Sequence, residues 1–188
     1  HNANSNLRVF SGIAPVPHLL EKGIRVSIGT DNMGMNDDKD MFQEMRLVLK
    51  IHRLPGVDFN PITPYQALQM ASINGALSTG FGDSVGTLEV GKRADMILVD
   101  VNRLEEPYLC PEASIVNALV HRVKEVDVDM VMVDGEVVVK NNQSTKVDKK
   151  ALFKDIKAML DHPLTSDQLE QKKLVQAVTP YLKAFYSG

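Results

Sequence analysis

A helix, a strand, a polar loop and a second helix follow one another near the start of this 188-residue chain. That alternation constrains the fold more than any other feature. Pro15-Val16-Pro17-His18-Leu19-Leu20-Glu21-Lys22-Gly23 predicts a helix opened by proline and stopped by glycine. Ile24, Val26 and Ile28 place β-branched side chains at alternate positions, which predicts a strand ending at Gly29. Thr30 to Asp38 is a polar loop, and Met41, Met45, Val48 and Leu49 then recur at helical spacing. This is the βα rhythm of a parallel α/β fold, in which loops leaving the carboxyl ends of strands carry the chemistry.

The rest of the chain divides by character. Thr63-Pro64 caps a helix running to about Leu77, with Ala67, Leu68, Met70 and Ala71 on its apolar side and Gly80-Phe81-Gly82 after it. Val85 to Leu88, Met96 to Val99 and Val126 to Val139 are strand-like, and Asp134-Gly135 is a hairpin turn. Leu152, Ile156, Met159 and Leu160 mark a helix, Pro163 interrupts, and a Lys-rich helix continues to Tyr186. The expected organisation is a βα segment over 1–80, a β-rich module over 81–140 and a helical tail over 141–188.

Composition excludes some partners. Lys and Arg total 21 against 24 Asp and Glu, a net charge of −3. Nucleic acid and anionic membranes both reward clustered positive charge, so neither is expected as the main partner. The single cysteine, Cys110, excludes an internal disulfide framework and fits a reducing, cytoplasmic setting. No apolar run approaches the ~18 residues that a membrane span requires. The opening His1-Asn2-Ala3-Asn4-Ser5-Asn6 has the character of a motif already under way, so the chain is expected to be the tail of something longer.

Asp31 follows the expected strand directly, where a carboxylate stands at the mouth of a parallel sheet or barrel. There it could bind a metal or serve as a base toward water; an N-cap or Asx-turn role is the other reading. Asp37, Asp38 and Asp40 read better as helix-cap and first-turn charges. The histidines are His1, His18, His52, His121 and His162, and no two show zinc-site spacing. His18 and His162 are expected at the surface, whereas His1 could share a pocket with Asp31. Cys110, beside Pro111, lacks a basic neighbour and is expected to be buried or inert.

Three ordered motifs then carry a resemblance. They are His1-Asn2-Ala3-Asn4-Ser5-Asn6-Leu7 with Ser11-Gly12-Ile13-Ala14-Pro15-Val16; Gly29-Thr30-Asp31-Asn32; and Gly86-Thr87-Leu88-Glu89-Val90-Gly91-Lys92-Arg93-Ala94-Asp95-Met96-Ile97. Thr63-Pro64 and Ala71-Ser72-Ile73-Asn74-Gly75-Ala76 lie between the last two. Together they resemble the carboxyl-terminal part of an amidohydrolase-superfamily enzyme of the chlorohydrolase/aminohydrolase group. That group includes atrazine chlorohydrolase, guanine and cytosine deaminases and S-adenosylhomocysteine deaminase. The resemblance fades after about Lys140.

The resemblance implies an α/β fold: the last two strands of a metal-dependent (β/α)8 TIM barrel, part of a composite β-sandwich and a helical tail. His1 then ends the seventh barrel strand and Asp31 the eighth. It implies one divalent metal, zinc first and iron second, bound by Asp31, which also takes the proton from the bound water and passes it to the leaving group. His1 and Asn32 face the substrate. The remaining ligands, a His-x-His and two further histidines, lie upstream of His1 in relatives. The implied reaction is hydrolytic removal of an amino or chloro group from a small N-heterocycle through a metal-bound water. Relatives are often dimers, which admits a homodimer here.

Two departures limit what can be carried over. Met33-Gly34-Met35-Asn36 replaces a small-residue loop containing Ser-Asn, and Met35 makes the pocket more apolar there. Asn32 leans toward the triazine-hydrolase side of the group. Lys92 and Asp95 are expected to be turn and folding residues. The alternatives are a cyclic amide hydrolase of the same superfamily and a non-catalytic binding module. The second would leave two parallel strands with open faces and edges.

Overall fold

The computed structural model describes residues 1–32, 39–56 and 61–187. The expected loop Met33-Gly34-Met35-Asn36 and the acidic pair Asp37 and Asp38 lie outside the described residues. The chain forms two compact units, His1–Lys146 and Val147–Gly188.

In the first unit, α1 (Ala3–Arg8), α2 (Val16–Glu21), α3 (Met41–Ile51), α4 (Pro64–Ala71) and α5 (Ile73–Ser78) precede a small sheet. The helix starts are written in the local chemistry. Asp40 caps α3 by accepting from the Phe42 amide at 2.8 Å, and Thr63 forms a reciprocal capping box with Gln66 at α4. The expected single helix from Pro64 to Leu77 is broken at Ser72, whose backbone leaves the helical region and whose hydroxyl donates back to Leu68 O at 2.7 Å.

The sheet contains β1 (Met96–Val99), β2 (Val128–Val133), β3 (Glu136–Lys140) and β4 (Gln143–Ser144), antiparallel in the order β1-β2-β3-β4. Asp134 and Gly135 have φ values of 51° and 81°, the two left-handed residues of a type I′ hairpin matching the strand twist. Val85 to Leu88 is a turn rather than a strand. Gly86, at φ 98°, sits so close to α5 that a Cβ would come 2.7 Å from the Ala76 Cβ.

Ile24 to Gly29 is not a sheet strand. A strand needs a partner ladder, and among the described residues its only such neighbour is His1. The His1 nitrogen donates to Ser27 O at 2.7 Å, and Gly29 N donates to His1 O at 3.1 Å. This is one rung of parallel pattern. On another side, Ile28 N donates to Met70 O at 3.1 Å and the Asn74 amide to Val26 O at 2.8 Å.

The region expected to be β-rich also holds α6 (Val101–Glu105) and α7 (Ile115–Arg122). Their starts are capped by Asp100 and Ser114. The core packs Met45 and Val48 of α3 with Ala67 and Met70 of α4 and Val120 of α7, and Val26 and Ile28 join it. Each fully buried large apolar side chain contributes about 1.5–3 kcal/mol. Arg46 of α3 donates to the carbonyls of Val120 and Val123 at the end of α7, tying the two helices together.

The second unit consists of α8 (Lys149–Leu160) and α9 (Ser166–Tyr186), with Pro163 between them as expected. Asp148 caps α8, and Thr165 with Gln168 forms a capping box at α9. Neither helix has a buried residue. Among the described residues, no helix is long and apolar enough to cross a membrane.

Candidate functional site

Asp31 follows the Ile24–Gly29 segment and has φ 60°, in the left-handed region that Asp tolerates better than most residues. Its carboxyl is exposed and lies below the usual carboxylate range. The main cause is a hydrogen bond from the Ser5 hydroxyl, followed by the Asn32 backbone N–H, which donates to Asp31 Oδ1 at 2.8 Å. Lys39 adds its positive charge and donates to the Asp31 carbonyl. Hydrogen bonds to the ionised form favour that form, so Asp31 is an anion at neutral pH. Asn32 is exposed beside it.

Ser5 reaches Asp31 from α1. It is 2% exposed, and its hydroxyl also lies 3.2 Å from Asn2 O. The start of α1 is held from α3, where the buried Glu44 carboxylate accepts from Asn4 N at 3.4 Å. An anion at the first turn of a helix is placed where backbone N–H groups lack partners.

His1 is brought to this region through its backbone rung with Ser27 and Gly29, and Gly29 stands two residues before Asp31. Its ring, however, packs toward α3. The His1 and His52 ring centroids are 5.8 Å apart at 50°, and the Asn6 side-chain amide donates to His1 Nδ1 at 3.5 Å. His52 is the C-cap of α3 and is 8% exposed, and burial lowers its pKa below 6.5. Among the described residues, the buried Nε2 atoms of both rings have no hydrogen-bond partner.

Sequence reasoning missed Glu44 and His52, yet a signal was present. Positions 41, 44, 45, 48 and 52 share one helical face, so a carboxylate and an imidazole interrupt an apolar stripe. Asp40 is the cap it was expected to be. His18 and His162 are exposed, as expected. Cys110, expected to be buried or inert, is not buried: it is exposed, and its thiol donates to Glu112 Oε2 at 2.6 Å.

Lys92 and Asp95 are turn residues. The Lys92 ammonium donates to Gly82 O at 2.9 Å and to Thr87 Oγ1 at 2.7 Å, and Asp95 accepts from the Asp134 amide. Among the described residues, no group of three or more His, Cys, Asp or Glu stands together in a way that could hold a metal ion.

The sequence pattern of the Amidohydrolase family matches residues 1–138. A 5-methylthioadenosine/S-adenosylhomocysteine deaminase of Syntrophomonas wolfei is 41% identical over 153 residues, covering 81% of this chain and 35% of the relative. An adenosine deaminase structure from Xanthomonas campestris with bound zinc superimposes with a TM-score of 0.77 at 30% identity. It covers 86% of this chain and 36% of its own. Atrazine chlorohydrolase TrzN from Arthrobacter aurescens TC1, complexed with zinc, gives a TM-score of 0.73 at 25% identity over 84% of this chain and 34% of its own. The chain thus spans about a third of the length of the relatives it matches. On the family pattern, which covers most of its length, and on its likeness to the deaminase sequence, the chain belongs to the amidohydrolase family.

Proposed function

We propose that this chain forms the last two strand ends of a (β/α)8 barrel in a metal-dependent hydrolase that replaces an amino or chloro group of an N-heterocycle with a hydroxyl from water. The observation that carries this reading is Asp31: an exposed carboxylate, held ionised by Ser5 and Asn32, at the end of a segment that pairs in parallel pattern with His1. The deaminase and chlorohydrolase names among similar proteins support the reaction class.

Asp31 fits one oxygen position around zinc or, second, iron, because it is anionic and accessible. Further ligands would come from residues that precede His1 in relatives. When bound, the metal supplies Lewis acidity that brings the pKa of water toward ~7. The residues of this chain then do the proton work. Asp31 accepts a proton from the attacking water as oxygen bonds to the ring carbon. It returns that proton to an amino leaving group, which departs as ammonia; a chloride departs without one, and the exposed Asp31 then releases the proton to solvent. Asn32, adjacent on the exposed side, offers its amide to the heterocycle.

The test is release of ammonia or chloride from adenosine-type and chlorotriazine-type compounds by the protein that carries this chain, before and after chelation. Release that chelation abolishes and zinc restores supports the reading. Release indifferent to chelation, or none from any heterocycle, contradicts it.

A further inference from the structure

The least explained groups in the first unit are the two buried imidazole nitrogens at His1 and His52. A buried polar atom without a partner costs about 1–3 kcal/mol, so the pair calls for an account. The Asn6 side-chain nitrogen can only donate, so His1 Nδ1 accepts and the neutral His1 ring carries its proton on Nε2. Among the described residues, His1 Nε2 is therefore a donor lacking an acceptor, and His52 Nε2 is an acceptor lacking a donor. The ring centroids are 5.8 Å apart and the two Nε2 atoms make no direct hydrogen bond, a separation that one bridging water can span.

We propose that His1 Nε2–H donates to one bridging water that donates in turn to His52 Nε2, and that His52 is thereby a positioning residue for Asp31. The route is short. His52 is fixed at the end of α3, and its ring would hold the ring of His1. The His1 backbone holds Ser27 and Gly29, and Asp31 follows two residues later. Both nitrogens of His1 are then occupied, which assigns that residue to holding the Asp31 arm rather than to facing the substrate. The consequence for catalysis rests on the hydrolase reading; the hydrogen bond itself does not.

Two measurements separate these. In the 15N-labelled protein, histidine ring spectra should place the proton on Nε2 of His1 and on Nδ1 of His52. His52→Gln, whose amide oxygen can accept, should keep the wild-type His1 Nε2 shift, whereas His52→Phe should move it, the Asn6 amide holding the tautomer in both. A His1 proton on Nδ1, or protons on both Nε2 atoms, overturns the pair in the wild-type protein alone, whether or not either variant folds. In turnover, His52→Phe should lower kcat by about tenfold to a hundredfold with KM little changed, as for a displaced reacting group, and His52→Gln should restore most of it. Equal kcat in wild type and His52→Phe, or equal loss in both variants, overturns the positioning role. A wild-type protein without turnover would sink the hydrolase reading, while the spectra still decide the pair.

Discussion

The side-chain oxygen of Asn2 lies only 2.6 Å from where a Cβ on Gly29 would stand. The two residues pack this closely because the His1 carbonyl receives the Gly29 amide, which draws the segments together just before Asp31. Gly29→Ala should therefore force the Asn2 amide to swing away. The stability cost should be about 1 kcal/mol, at the low end for overpacking, since the displaced atom ends a short movable side chain. Urea denaturation measures it. An unchanged midpoint would mean that the two segments are not held in this register.

Ser5→Ala should raise the pKa of the Asp31 carboxyl, because the Ser5 hydroxyl is the main cause of its depression. Carbon-detected titration of Asp31 reads the direction, with Asn32 and Lys39 still lowering it. No upward movement would show that Ser5 spends its proton on Asn2 O instead.

Lys92→Met should destabilise the first unit by about 1.5–3 kcal/mol, the range for hydrogen bonds made by a charged group. Its side chain is 17% exposed, and the bonds to Gly82 O and Thr87 Oγ1 close the turn before β1. Thermal unfolding checks this, and the turnover of protein that remains folded should be unchanged.

Much of this was legible because the information is local. Asp40 and Thr63-Pro64 specify helix starts through their side chains, Asp134-Gly135 specifies a turn through its tolerance of positive φ, and each stands where its chemistry required. The sequence reading did not place α7; its helix signal was the Ser114 cap, which accepts from Asn117 N. Ile24 to Gly29 has strand composition but lacks a ladder, since pairing depends on residues distant in sequence. At the candidate site, Asp31 stands out in the sequence by its place after that segment. Glu44 and His52 were not, because a search for apolar periodicity passes over the polar residues on the same stripe.

Acidification should weaken the fold through His52. Burial lowers its pKa from 6.5, so below that value the unfolded chain takes up a proton that the folded ring resists. Stability is then full above about pH 6.5 and falls as pH drops through the lowered folded value. Denaturation midpoints between about pH 7 and pH 5 should decline, and His52→Gln should flatten the decline. An equal slope in the variant would place the effect elsewhere.

The central claim is that Asp31 moves the proton in a hydrolysis, and the most direct measurement is turnover by Asp31→Asn beside the wild-type protein. The variant keeps the size of the side chain but removes its charge and basicity. Ammonia or chloride release should fall by about a hundredfold or more, with the circular dichroism spectrum unchanged. An Asp31→Asn protein that turns over within a few-fold of wild type would contradict the account.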